Sequence, residues 1–374
     1  MTDIIFQWHT KSPDLKTFLN GILAATEQGC KSLLLLACSD NNIDITACNK
    51  MLSKVNITVF GGVYPKLIFN KKVVDSGYIV IGFKQKLAVH NFLDVSSRID
   101  TDDATEGEIE KNINHKSQAY FLFHDALSPN SESFIDSLFY CLGNIKIIGG
   151  GAGSLDFIPR PCIFSNQGLL QDATQLVALN TPLSLGISHG WQVFDGPYLV
   201  TESSKHIVHS FNYQPAFSTY KKVIEGASEH RFNDNNFFDI AKNFPLGIHG
   251  ANDEIVVRDP IQVDGENLDC VGNIPINSMV YILKGDTESL IRSVEIATLM
   301  TNTNQVTKGK NLFVVDCISR YLYLGDSFKL ELAAMIDKHQ LPDRMFGVLS
   351  LGEITNSHSG AIKLLNKSTV LGTF

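Results

Sequence analysis

The chain has 374 residues, a formal net charge of −8, 44% hydrophobic and 19% charged residues. Its length is more than twice a usual domain of about 150 residues, and this composition excludes long disorder. An acidic balance without any aromatic-interleaved Lys/Arg tract excludes a nucleic-acid surface.

Asp3 and the polar stretch His9 to Asp14 predict no secretion signal, and no apolar run approaches the roughly 18 residues of a membrane span. The seven cysteines have no C-x-x-C spacing, so they read as reduced thiols of a cytoplasmic protein, most of them small buried hydrophobes.

In chain order, Leu33 to Ala37 is a short all-apolar run that reads as a strand buried on both faces and ending at Cys38. A loop over SDNNID, a helix over 45–55 and a second strand from Asn56 to Phe60 follow, the strand stopping at Gly61 and Gly62. The order then returns: strand Tyr120 to Phe123, polar loop, helix Ser133 to Leu142, strand Ile145 to Ile148, glycines 149–151. Gly61 and Gly149 stand 88 positions apart. Each glycine cluster precedes a hairpin pattern, Lys66 to Phe69 with the run from Val73, and Pro161 to Phe164 with the run from Leu169.

A third copy runs through strand Leu312 to Val315, helix Ser327 to Lys338, strand Met345 to Ser350 with Gly347 and Gly352 beside it, and a closing hairpin over Ile362 to Thr373. Before it lie strands over Val256 to Cys270 and Ser278 to Leu283, a helix Glu288 to Leu299 and a polar loop over 301–310. A strand-helix-strand-hairpin unit repeated in this way predicts an α+β fold, layered mixed β-sheets covered by helices. The Asn/Asp/Ser-rich stretch Ala227 to Asn236 is the best break between halves, dividing the chain into 1–225 and 226–374.

Five blocks stand in order: PLSLGISHGWQVF, FPLGI with VVRDPIQVD, NIPINSMVYILKGD, VVDCISRYLYLGD, and GVLSLGEI with a late LLNKSTVL. Together they resemble the successive signatures of the FIST domain family, in the family's order. The resemblance runs from about Leu33 to the C-terminus and covers an N-terminal and a C-terminal FIST part. It implies a small-molecule sensory module, not an enzyme, acting beside signal-transduction proteins. About 30 residues precede the match, so the F-box of the family's ubiquitin-ligase members is not expected. FGGVYPKLIFN, where many members carry a Cys-Ser-Thr-Ala-Gly-like turn, resembles the stand-alone NosP-type branch. That branch implies haem, nitric oxide and a partner histidine kinase of a two-component system.

Haem needs an axial ligand, commonly His, in an apolar pocket, and the absence of C-x-x-C-H excludes covalent attachment. His189, in the SHGW turn beside Trp191, is the first choice as iron ligand. His206 and His209 follow in a strand whose alternation points them to opposite faces, and His249 lies on the PLGIHG turn. A given histidine is more often a structural or surface residue than an iron ligand.

Pro260 should end the strand that carries Arg258, whose planar guanidinium could clamp a carboxylate or pair structurally with Asp259 or Glu353. Cys317, Arg320 and Glu353 cluster at strand ends of the third repeat, where ligands favour crevices. No nucleophile elbow, metal-ligand helix or P-loop supports catalysis. Two readings stand: a haem/nitric-oxide sensor, or a non-haem binding or enzyme-like protein taking a small carboxylate or amino acid at that rim.

Overall fold

A computed structural model of the chain describes residues 3–98, 103–113, 116–250, 254–301, 311–339 and 344–374, so nearly all of the loop expected over 301–310 lies outside the described residues. Three repeats account for most of it. The first is β1 (Ile4–Thr10), α1 (Leu15–Glu27), β2 (Ser32–Cys38), α2 (Ile45–Leu52), β3 (Thr58–Tyr64), β4 (Lys66–Phe69), β5 (Lys72–Val74) and β6 (Tyr78–Phe83). The second is β7 (Val89–Leu93), α3 (Asp103–Asn112), β8 (Ala119–Asp125), α4 (Ser131–Leu142), β9 (Lys146–Ala152), β10 (Ile163–Ser165), β11 (Gly168–Leu170) and β12 (Ala173–Leu179).

The third repeat opens with β13 (Ser184–Ser188) and is then interrupted. An inserted antiparallel sheet carries β14 (Gln192–Ser204), β15 (Ile207–Phe211), β16 (Gln214–Pro215), β17 (Leu246–His249), β18 (Ile255–Asp264), β19 (Asn267–Val271) and β20 (Met279–Lys284). Helices α5 (Ala216–Ala227) and α6 (Phe237–Ala241) cover it with Tyr220, Ile224, Phe237 and Ile240. The repeat resumes with α7 (Thr287–Thr301), β21 (Leu312–Cys317), α8 (Ile318–Leu324), α9 (Phe328–His339), β22 (Met345–Ser350), β23 (Glu353–Asn356), β24 (Ile362–Leu365) and β25 (Thr369–Thr373).

Each repeat centres on a parallel pair, β2–β3, β8–β9 and β21–β22. The first strand of each pair is buried at every position, because parallel strands need cover on both faces. Alternation divides the two faces. Leu34, Leu36, Phe121, Phe123, Phe313 and Val315 point into one shared core, while Leu33, Leu35, Leu122 and Val314 point outward under the helices. Aromatic rings join the three sheets at the centre, with Phe60 against Phe123 at 6.0 Å and Phe121 against Phe313 at 5.3 Å between centroids.

The hairpins are exchanged in a ring. The β4–β5 hairpin adds to β22 of the third repeat, β10–β11 adds to β3 of the first, and β23–β24 adds to β9 of the second. The chain then returns, β6 to β2, β12 to β8 and β25 to β21. The expected hairpin over Ile362 to Thr373 is therefore not one: β24 pairs with β23, and β25 crosses to another sheet.

The α+β fold of mixed sheets is the one expected, but the glycines sit elsewhere in it. Gly61, Gly149 and Gly347 are equivalent and lie inside β3, β9 and β22, opposite Leu35, Leu122 and Val314. A Cβ there would come within 2.0, 1.8 and 2.2 Å of the facing carbonyl oxygens, so the strands run through the glycines because only hydrogen fits. Residues 225 and 226 fall within α5, and the loop that follows packs Phe232 into the core of the insert. The expected halves 1–225 and 226–374 share sheets, since β13 pairs with β25 and β4 with β22.

Gly149→Ala is expected to destabilise the protein by about 2–4 kcal/mol in denaturant titrations, because the clash is with backbone. Gly107→Ala, in α3 with open space around it, should instead be neutral or stabilise by up to about 1 kcal/mol. Equal small effects would mean that the strand pair at Gly149 relaxes freely.

Candidate functional site

Cys317 ends β21 and Ile318 opens α8 without a linker, which places Ser319 and Arg320 in the first turn above the strand ends. Arg320 is fully buried. Its Nε and Nη2 donate to Glu331 Oε1 at 2.9 and 2.8 Å, and Nε also lies 3.3 Å from Asp316 Oδ1. Nη1 donates to the His189 and Lys367 carbonyls, and Nη2 to that of Leu290. All its donors are spent on the protein, so Arg320 organises the rim from beneath.

The turn between β24 and β25 brings in a lysine. Lys367 is buried, with φ of +52°, and its Nζ reaches Asp259 Oδ2 at 3.1 Å and the Lys242 carbonyl at 3.1 Å. The ammonium lies 4.9 Å from the centroid of Trp191, whose Nε1 donates to the Lys367 carbonyl. Ser319 Oγ donates to the same Asp259 oxygen at 2.9 Å. Asp259 Oδ1 is buried with no hydrogen-bond partner. β18 does not end at Pro260, as the sequence suggests; it bulges between Pro260 and Gln262 and continues to Asp264.

Above Asp259 is a cavity of about 460 Å³ between the inserted sheet and the third repeat. Ile261 of β18, Phe238 of α6, Leu322 of α8, and Leu155 and Phe157 of the β9–β10 connection give it an apolar wall. Cys317, Ser319, Gln262 and Asn366 are its remaining polar residues beside Asp259.

Glu353 opens β23 at the foot of this rim, fully buried. Its carboxylate accepts from Ser350 Oγ at 2.7 Å and from the Ser368 amide at 3.1 Å. Burial outweighs those bonds and pushes its carboxyl up to about 8. The Cys317 thiol beside it is pushed well up, first by burial and then by Glu353, which favours the thiol over the thiolate. Asp316 is also raised, by burial and then by Glu331. Four buried carboxyls, Asp259, Asp316, Glu331 and Glu353, thus surround two buried cations, Arg320 and Lys367.

The family-level comparison agrees with this architecture. A model of the FIST N domain matches residues 32–214, and a model of the FIST C domain matches 216–356. The chain belongs to the FIST family. None of the curated proteins compared with the chain is similar to it. FIST domains are small-ligand-sensing domains of signal transduction rather than catalysts. No helix among the described residues is long and apolar enough to cross a membrane.

Of the residues singled out from this FIST sequence, Cys317, Glu353 and Arg320 come together, while Arg258 does not join them. Arg258 is buried and faces the opposite side of β18 from the cavity, where Nε donates to the Asn273 carbonyl at 3.0 Å and Nη1 to the Leu364 carbonyl at 3.2 Å. Its ion-pair partner is Glu132 of α4 at 3.5 Å, neither Asp259 nor Glu353. It clamps the inserted sheet to the second repeat.

The aromatic and histidine set is dispersed. Trp191 is buried in the third repeat's core, edge-on to Tyr323. His189 is half-buried just past β13, and its Nδ1 accepts from the Trp191 amide at 3.0 Å. Burial, then the charge of Arg320, lowers it to about 4. His206 lies in the turn before β15, 3.7 Å from Asp269, rather than in the strand. His209 is held by Asn267 and Ser204, and His249 is the exposed last residue of β17 rather than part of a turn. A haem needs its ligand and its apolar slot in one place. None of the four lines the cavity over Asp259: His189 follows β13, and His206, His209 and His249 lie on the insert, with His206 beside a separate cavity against the second repeat. Among the described residues no group of three or more His, Cys, Asp or Glu is arranged to hold a metal ion.

Sequence reading passed over Asp259 except as a partner for Arg258, and over Lys367 altogether. The available signals were Pro260 beside a strand carboxylate and a lone lysine inside the apolar LLNKSTVL block.

A carboxyl raised on folding from the ordinary 4.5 to about 8 binds more protons in the native state across that window. Stability should therefore fall as pH rises from about 4.5 to about 8, by up to about 1.4 kcal/mol per pH unit from this group. Glu353→Gln should flatten that slope and be relatively more stable at pH 8 than at pH 5, measured by denaturant unfolding at both. An unchanged slope would remove Glu353 as its source.

Proposed function

We propose that this chain is a cytoplasmic sensor that takes a small ligand into the cavity over Asp259 and passes its occupancy to a signalling partner, a histidine kinase in our reading. One observation supports the choice of site above the others. Asp259, which lines a largely apolar recess, has a buried carboxylate oxygen, Oδ1, without a donor. Leaving such an atom unsatisfied costs about 1–3 kcal/mol or more, which a ligand can recover.

The walls suit signalling because they come from three parts of the fold. Leu155 and Phe157 belong to the second repeat, Asp259 and Ile261 to the insert, and Cys317 and Leu322 to the third repeat. A ligand that fits one arrangement of these parts better than another shifts their populations, and a partner reads the shift.

Haem is not the ligand we propose, since no residue geometry here favours it. Freshly purified protein is expected to show no Soret band. A band that disappears in His189→Ala would reinstate haem at that histidine.

The cavity itself is tested with Leu322→Trp, which fills the mouth from a position that is 40% exposed and so leaves the core alone. In a thermal-shift screen of small metabolites, a ligand at a hundred times its Kd should stabilise the parent by about 2.7 kcal/mol. The same ligand should leave Leu322→Trp unmoved. Equal stabilisation of both would place the binding site elsewhere.

A further inference from the structure

The cavity wall is one-sided in charge. Among the described residues its lining carries the Asp259 carboxylate with neutral Ser319, Gln262, Asn366 and Cys317, and no lysine, arginine or histidine. The cations behind it are engaged: Lys367 by Asp259, the Lys242 carbonyl and the Trp191 ring, and Arg320 by Glu331, Asp316 and three carbonyls. Arg258 is turned to Glu132 and backbone carbonyls.

A ligand carboxylate would therefore enter a cluster of four carboxyls and two cations as a fifth acid, with no free cation in the lining to face it. A cation meets the opposite situation. Ser319 and Lys367 fix Asp259 through Oδ2 alone, leaving Oδ1 with its lone pairs free.

Given that the cavity is the ligand site, as read above, we propose that it selects small molecules bearing an ammonium group on an apolar body and turns away free carboxylates. The N–H donates to Asp259 Oδ1, and the body packs against Phe157, Phe238, Ile261 and Leu322. This reverses the expectation of a carboxylate held by Arg258.

Three probes of similar shape decide it on the full chain: 2-phenylethylamine, 2-phenylethanol and 3-phenylpropanoate, titrated by calorimetry. The amine should bind at least about tenfold more tightly than either of the others, and Asp259→Asn should erase that preference. Because Asp259→Asn strands the buried Lys367 charge, the double variant Asp259→Asn/Lys367→Met accompanies it and should show the same loss. An amine preference that survives in either folded variant overturns the proposal. Carboxylate binding as tight as amine binding, with both abolished by Leu322→Trp, keeps the cavity and overturns the ligand class. No binding by any probe, or binding untouched by Leu322→Trp, overturns both.

Discussion

A parallel pair of strands buried on both faces has an open edge at its second strand, and in this protein every such edge is closed by a hairpin from a different repeat. β3, β9 and β22 each take their neighbour from the next module around the ring. Unpaired strand edges are costly to bury and prone to misassociation. The exchange therefore does two things together: it completes each six-stranded sheet, and it makes no repeat complete without the others. The ring of Phe60, Phe121, Phe123, Phe313 and Phe374 at the centre follows from the same arrangement, because three inward faces can meet only when the sheets are held around one axis.

On this scaffold the third repeat is the one that departs from the pattern. Position 353 in its hairpin corresponds to Ile163 in the second and Leu67 in the first, both apolar, yet it holds a buried glutamate. The strand-end position Cys317 matches Cys38 and Asp125. The third repeat is also the one interrupted by the inserted sheet, and its buried charges lie at that junction. Lys367 bridges from the β24–β25 turn to Asp259 of the insert, and Arg258 on the same strand reaches Glu132 of the second repeat. Adjacent residues of β18 thus fasten the insert to two different parts of the body. Buried ion pairs contribute little net stability compared with apolar packing, so their presence here fits a junction whose geometry has to be unique.

The ligand site we propose at that junction would link sensing to the relative placement of the insert and the repeats. Cys317 lines the cavity as a buried thiol, while the fully engaged Arg320 and Lys367 lie behind its wall.

The sequence by itself determined the repeat and its elements. Apolar runs such as Leu33 to Ala37 read as doubly covered strands, and the recurrence of strand, helix, strand and glycine places three copies in register. It also determined the family, and the convergence of Cys317, Arg320 and Glu353, because equivalent strand ends of a repeat meet at one rim. Partner choice was beyond it. Local pattern predicts a hairpin but not which edge receives it, so β4–β5 joining β22, some 280 residues away, became visible only in three dimensions. For the same reason the glycines read as strand ends turned out to be points of close backbone approach, a property of the neighbouring strand rather than of their own. Arg258 and Asp259 show the limit most sharply: alternation along β18 sends adjacent charged residues to opposite faces, one to Glu132 and one to Lys367, and only the packing of three distant segments decides which of the two faces the cavity.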